Sequence, residues 1–168
     1  MDALQLLAFV LPAYVANASP VVFGGGTPVD FGRVLGGKRV FGEGKTWRGL
    51  LAGVVFGTFT GFALALLPAF FLPSLAFRQR MIVALLLSVG TMAGDLAGSF
   101  VKRRLGIAAG SRHEFFDQLL FLGFALAAAS VYIVPSLEEI GLLVVATYVL
   151  HKAANWLAHV VRLKRVPW

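Results

Sequence analysis

The chain has no cysteine among its 168 residues. That excludes disulfides, thiolate metal sites and cysteine nucleophiles. Charge is also scarce. Asp, Glu, Lys and Arg together make up 14%, against about a quarter in soluble domains, too few to clothe a soluble fold of this size. Acids are the rarest, 8 against 15 bases, so an acid inside an apolar run needs a reason. Polar stretches long enough for a separate soluble domain are missing too. The inverted duplications expected of many transporters are not visible. The first apolar run, Ala3 to Ala18, lacks the basic leader of a signal peptide and ends in Ala18-Ser19-Pro20, a poor cleavage site. It reads as a retained helix.

What is abundant is apolar: 58% of the residues are hydrophobic. A hydrocarbon core of roughly 30 Å takes about 20 helical residues to cross. The runs predict an all-α integral membrane protein, a single polytopic domain over 1–168, with helices at about 3–18, 47–72, 80–102, 114–134 and 137–161. Pro68 and Pro73 end the second, and Pro135 separates the last two. Bases collect after helix 1 (Arg33, Lys38, Arg39, Lys45, Arg48), after helix 3 (Lys102, Arg103, Arg104, Arg112) and after helix 5 (Arg162, Lys164, Arg165). The opposite loops carry only Arg78 and Arg80, with Glu138 and Glu139 between helices 4 and 5. The positive-inside rule then places the N-terminus outside and the C-terminus in the cytoplasm of a multi-pass cell-membrane protein. A net charge of +7 faces anionic headgroups or a polyphosphate.

Two acids stand out. Asp95, Ser99 and Lys102 fall at offsets of four and seven on one helical stripe, with Arg103 at its edge and Arg104 pointing away. Asp95 is about 10 Å below Lys102 at 1.5 Å per residue. Gly90, Gly94 and Gly98 form a small-residue stripe that permits close helix contact. Asp117 enters the next helix one to two turns in, beside Phe115, Phe116, Leu119 and Leu120. Ser111 to Glu114 has capping-box spacing, which makes Glu114 a cap rather than a ligand. A short basic turn joins the two helices, so Asp95 and Asp117 can reach one point. Two hard oxygen donors beside phosphate-attracting bases suit Mg²⁺, which takes one or two carboxylates plus substrate phosphates. The alternative for Asp95 is an ion pair with Lys102 or with a basic loop residue.

The connection after helix 1, residues 19–48, interleaves glycines with bases. Glycine lets backbone N–H groups approach phosphate oxygens, and Lys and Arg neutralise them. Gly44-Lys45-Thr46 ends like a P-loop but is none: Arg39 stands where the first glycine belongs. The alternative is a basic loop on acidic lipid, anchored by Phe41 and Trp47, with Asp30 and Glu43 opposing that placement. On helix 5, His151, Asn155 and His159 share one face beside Lys152; packing against the same cleft, or snorkelling, is the favoured account, with a catalytic histidine as the alternative.

The pattern Gly94-Asp95-Leu96, Ser99, Lys102-Arg103, Gly106 and a second acid at Asp117 resembles the signature of the membrane CTP:phosphatidate cytidylyltransferase family. The Pro-Gly-His-Gly-Gly element of the bacterial-type enzymes is replaced here by Ile107 to His113. The short length, the F-G-x-G-K-T-W-R-G run from Phe41 to Gly49, Asp117-Gln118-Leu119 and the Lys164 to Trp168 ending are similar to the archaeal branch, the CDP-archaeol synthases. This resemblance implies five membrane helices, CTP, Mg²⁺ (or Mn²⁺ as a substitute), an isoprenoid glyceryl-phosphate lipid and surrounding membrane lipids, with no nucleic acid and with room for a homodimer. It assigns Asp95 and Asp117 to the metal, with Lys102 and Arg103 as further catalytic residues. Lys45 and Arg48 hold phosphates, and Lys38, Arg39, Gly42, Gly44 and Thr46 line the nucleotide pocket. Asn17 and Ser99 are supporting donors.

Two other classes compete. A proton- or ion-coupled transporter needs polar residues across the outer halves of the helices, where Leu85–Leu87, Ala125–Ala129 and Val144–Val145 are apolar. A CDP-alcohol phosphotransferase clusters several aspartates on neighbouring turns, an arrangement absent here. A CDP-diacylglycerol synthase is the alternative within the same chemistry.

Overall fold

The computed structural model describes residues 1–107 and 114–160, of which 114–116, 151, 154, 155 and 157–159 are described by backbone alone. The capping-box reading of Ser111 to Glu114 and the side chains of His151, Asn155 and His159 lie outside the described residues. Five helices and one small hairpin are seen: α1 (Ala3–Phe23), β1 (Val34–Leu35), β2 (Lys38–Arg39), α2 (Trp47–Ala65), α3 (Phe77–Arg104), α4 (Glu114–Ala129) and α5 (Leu137–Val160). Among the described residues three helices, α1, α2 and α3, are long and apolar enough to cross a membrane. α4 as described, Glu114–Ala129, has 16 residues, fewer than the about 20 of a full span.

Helix bounds differ from expectation where prolines and caps decide them. α1 runs past Ala18 to Phe23, with Pro12 and Pro20 inside it, and closes on Gly24, whose N–H donates to Pro20 O at 2.9 Å. Its start is fixed by Asp2, which accepts from Gln5 N at 2.8 Å. α2 ends at Ala65, not at 72, because Pro68 disfavours helix just before it. α4 likewise stops at Ala129, short of 134: Tyr132 and Ile133 N–H both turn back to Ala129 O ahead of Pro135. α3 begins earlier than expected, at Phe77.

Residues 1–134 form one compact unit and 135 onward another. In the first, α3 packs on α1, α2 and α4, and α1 lies beside α2. Small residues set the spacing. The buried face of α2 is Gly49, Gly53, Gly57, Gly61 and Ala65, a four-residue stripe. A Cβ on Gly53 would meet Met92 Sδ, one on Gly57 Ser88 Oγ and Pro12 O, and one on Gly61 Ala84 Cβ. The expected stripe on α3 serves α4: a Cβ on Gly90 would stand 2.6 Å from Phe124 O, and one on Gly94 2.6 Å from Leu120 O. Tyr14 of α1 meets Phe121 of α4 edge-on, with centroids 6.4 Å apart. In the second unit, Ser136 and Glu139 form a reciprocal cap on α5, with N–H to carboxylate at 2.7 Å and N–H to hydroxyl at 3.2 Å.

The long connection between α1 and α2 is folded. Leu35 pairs with Lys38 and Val34 with Arg39, across Gly36 and Gly37, both at positive φ (56° and 75°). Two consecutive left-handed residues make the tight turn that matches the twist of a hairpin, and glycine takes that conformation without a Cβ clash.

Candidate active site

The ends of α1 and α3, the starts of α2 and α4 and the folded connection meet at one end of the first unit, where two ion pairs lie. Lys45 Nζ contacts Asp95 Oδ1 at 2.6 Å and Oδ2 at 2.7 Å. Lys102 Nζ contacts Asp117 Oδ2 at 2.6 Å. The carboxylate of Asp95 is thus held by a loop base and not by Lys102, which shares its helical stripe. Asp117 lies across from Gly98, at 3.4 Å from where a Cβ would stand, while Gly94 faces Leu120 and Phe121. Asp95 is therefore about 4–5 Å lower along the helix pair than Asp117, at 1.5 Å per residue. Lys102, two turns beyond Asp95 on α3, binds Asp117 on α4, so the two acids are held by separate lysines.

Among the described residues one hollow opens on the Lys45–Asp95 pair and another lies between the hairpin and the end of α3. The smaller, about 20 Å³, is lined by Pro20, Gly44, Lys45, Thr46, Gly49 and Asp95 with apolar neighbours. That is room for about one water-sized particle. The larger, about 370 Å³, is lined by Lys38, Arg39, Gly42, Glu43, Arg103, Gly106 and Ile107, within the size range of small-molecule sites.

The expected residues divide accordingly. Lys45, Gly44 and Thr46 join Asp95 at the small hollow, and Lys38, Arg39, Gly42 and Arg103 surround the large one. Thr46 is also the N-cap of α2, its Oγ1 accepting from Gly49 N at 3.2 Å. Arg103 has no acidic partner among the described residues, and its Nε is buried without an acceptor, so its charge is available to an anion. Ser99 is buried on α3. Asn17 lies more than a turn inside α1, since that helix continues to Phe23, and lines neither hollow. Arg48 is exposed in the first turn of α2, also away from both.

Two organising residues escaped the sequence reading. Asp30, read from sequence only as an acid unsuited to an anionic lipid surface, builds the loop. Its side chain is 1% exposed and accepts from Arg39 Nη2 at 2.6 Å, Gly32 N at 3.0 Å, Phe41 N at 3.0 Å and Gly42 N at 3.1 Å. The Arg39 guanidinium above all, then the backbone N–H groups, hold its carboxyl far below the usual carboxylate range against the opposing effect of burial. Arg104, expected to point away, donates from Nη1 to Leu35 O and from Nη2 to Lys38 O at 3.2 Å and Arg39 O at 2.7 Å. The signals were present: an acid two residues before a glycine suits an Asx turn, and Leu-Gly-Gly-Lys suits a hairpin.

The chain matches the family model described as CarS-like: CDP-archaeol synthase, over residues 2–168. It is 44% identical to the CDP-archaeol synthase of Pyrococcus furiosus over 167 residues, 98% of each chain. With that of Thermococcus onnurineus it shares 48% over 164 residues, 95% of this chain and 94% of the other. A solved structure of an intramembrane enzyme for archaeal membrane lipids biosynthesis, 40% identical, superposes with a TM-score of 0.81 over 89% of this chain and 91% of that one. With that fold and those relatives along nearly its whole length, the chain belongs to the CDP-archaeol synthase family.

Proposed function

We propose that the paired Lys45–Asp95 and Lys102–Asp117 contacts mark the catalytic centre of a CTP-dependent cytidylyltransferase of archaeal lipid biosynthesis. The observation that carries this is the placement of two carboxylates, each against a lysine, beside a basic hollow in a chain of this family. In the reaction a phosphate oxygen of the lipid attacks the α-phosphorus of CTP. The bond to the bridging oxygen of the β-phosphate breaks, and pyrophosphate leaves with that electron pair. A phosphate monoester has its second pKa near 6, so the nucleophile is already largely dianionic and needs no strong base. The barrier lies in bringing anions together in line, which positioning and charge neutralisation lower.

The donor set fits a hard divalent cation. Asp95 and Asp117 are two carboxylates about 4–5 Å apart along the helix pair, and Mg²⁺ takes one or two carboxylates with phosphate oxygens in its remaining places. Held by Asp95 and Asp117, Mg²⁺, or Mn²⁺ in its place, would neutralise phosphate charge and favour in-line geometry. Lys45 and Lys102 then turn from the carboxylates to the phosphates. Arg103, Lys38 and Arg39 receive the triphosphate in the larger hollow, with Gly42 and Gly44 allowing close backbone approach. Thr46 shapes the start of α2, and Ser99, buried one turn above Asp95 on α3, supports the polar floor. Arg48, exposed at the start of α2, meets the lipid phosphate.

We place this end of the molecule on the cytoplasmic side of the cell membrane, with five spans. The concentration of bases there supports it. CTP arrives from the cytoplasm and the lipid enters sideways between helices.

The test is purified protein given radiolabelled CTP with digeranylgeranylglyceryl phosphate or phosphatidate, with and without Mg²⁺. Label should enter the archaeal lipid with Mg²⁺, and Asp95→Asn and Asp117→Asn should each abolish it. Normal turnover in both folded variants would overturn the metal assignment. Preferential labelling of phosphatidate would favour the diacylglycerol enzyme.

A further inference from the structure

We infer that Arg104 is a positioning residue that fixes the two walls of the basic hollow against each other and so sets the affinity for the nucleotide. This rests on reading that hollow as the triphosphate site.

The geometry is specific to arginine. One guanidinium spans three backbone carbonyls of the hairpin: Leu35 before the two-glycine turn, and Lys38 and Arg39 after it. Carbonyls only accept, so the group joining them must be a donor with several N–H bonds in a fixed fork, which lysine lacks. The guanidinium also stacks over the Phe100 ring, 5.3 Å from its centroid. Phe100 in turn meets Phe41 of the connection, with centroids 6.4 Å apart. The clamp is answered from the other side, where Lys38 Nζ donates to Arg104 O at 3.5 Å.

That carbonyl belongs to the last turn of α3, which ends in a reciprocal cap. Ile107 N–H reaches Lys102 O at 2.9 Å and Gly106 N–H reaches Arg103 O at 3.2 Å, with Gly106 at φ 77°. This is the Schellman arrangement, and it gives the anchor a rigid base.

The consequence follows from which residues line the hollow. Lys38, Arg39, Gly42 and Glu43 form one wall, on the connection; Arg103, Gly106 and Ile107 form the other, at the end of α3. Arg104 joins the walls without lining the hollow itself. Asp30 gives the connection its internal shape, and Lys45 returns it to Asp95. Arg104, the last residue of α3, holds the hairpin to that helix by three hydrogen bonds. A two-stranded hairpin of this length is not stable alone. Freed from the clamp, it would have to be ordered by the nucleotide, and that ordering is subtracted from binding.

The experiment compares the full chain with Arg104→Met, which keeps the aliphatic stem, and Arg104→Lys, which keeps the charge. It measures amide hydrogen exchange by segment together with separate KM values for CTP and lipid. For Arg104→Met, residues 34–40 should lose protection while the helices keep theirs. The KM for CTP should rise about tenfold, as expected when preorganisation is lost, with kcat and the lipid KM within about twofold. Arg104→Lys should show the same pattern, because charge alone does not restore the fork. Unchanged hairpin protection in Arg104→Met would refute the clamp. Lost protection with an unchanged KM for CTP would leave the clamp intact and remove the nucleotide from this hollow, which also overturns the inference. Parallel losses in helix protection, kcat and both KM values would show a general structural role and overturn it as well.

Discussion

Lys45 and Asp95 are fifty residues apart in sequence, and the ammonium of one binds both oxygens of the other's carboxylate, at 2.6 and 2.7 Å. The contact joins the folded connection to the middle of α3. Both side chains are about a quarter exposed, and an ion pair as open as this contributes little to stability in itself. In the proposed mechanism the pair holds a base and an acid where a phosphate and a cation would replace each as partner of the other.

Exchanging the two residues separates structure from chemistry. The double variant Lys45→Asp with Asp95→Lys restores an ion pair between the same positions, so a purely structural contact would be rescued. The expected result is a folded protein with transfer reduced at least about 100-fold, the scale of losing one oriented charge at a reaction centre. Incorporation of labelled CMP into lipid is the readout, and recovery of more than half of the normal rate would make the pair structural.

Asp30 carries a pH prediction. Its carboxyl pKa is depressed by Arg39 and by the N–H groups of Phe41, Gly42 and Gly32. A depressed acid contributes stability that is fully present above its unfolded pKa, near 4, and is lost as pH falls through the lower folded value. Hydrogen exchange at Phe41 and Gly42, corrected for intrinsic rates, should therefore stay flat from pH 8 down to about 4. Asp30→Asn presents an amide to donors and removes the charge facing Arg39. Each buried donor left without an acceptor costs about 1–3 kcal/mol. The KM for CTP should then rise by about tenfold or more, with the unfolding of the helices little changed. An acid-induced loss of loop protection near pH 5 would contradict this assignment.

Much of the candidate site could be proposed from sequence because its residues repeat at helical intervals within apolar surroundings. Asp95, Lys102 and Asp117 needed only the cost of charge in lipid and the period of a helix. What stayed hidden depended on backbone partners. Arg80 reads as a loop charge, yet it is buried and donates to Leu75 O at 2.9 Å and Ala65 O at 3.0 Å. Arg104 does the same at the far end of α3. Side chain to carbonyl contacts leave no pattern in sequence, because every residue carries the acceptor. The glycines at 49, 53, 57 and 61 had as clear a period as those at 90, 94 and 98. A helix bordered by a glycine-rich connection conceals it, since glycine there reads as loop.

Arg80→Met tests the buried guanidinium on the side of the molecule opposite the site. Ala65 is the last residue of α2, and its free carbonyl takes the Arg80 Nη1 donor, as a cation at a helix C-terminus should. Removal leaves two carbonyls without a donor. The expected cost is about 2 kcal/mol, read as a fall in melting temperature in detergent, with the KM for CTP unaltered. A shifted KM with unchanged melting would assign this arginine to the site instead.

Gly57→Ala is the sharpest test of the packing that places α1, α2 and α3. A methyl group there would collide with Ser88 Oγ, stand 2.7 Å from Pro12 O and 2.9 Å from Ala16 Cβ. The Ser88 hydroxyl is itself committed, donating to Ala84 O at 2.8 Å, and Pro12 O is backbone, so neither yields without moving a helix. Overpacking of this kind costs about 1–3 kcal/mol, against the few tenths to 1 kcal/mol that alanine gains over glycine in a helix. Gly57→Ala should therefore lower the melting temperature and, by spreading α2 from α3, displace Lys45 from Asp95 and reduce kcat. Gly123→Ala is the control: among the described residues nothing lies within 4 Å of its added methyl, so it should melt at or slightly above the normal temperature with normal kinetics. Equal behaviour of the two variants would mean that the α2 stripe is not the close contact described.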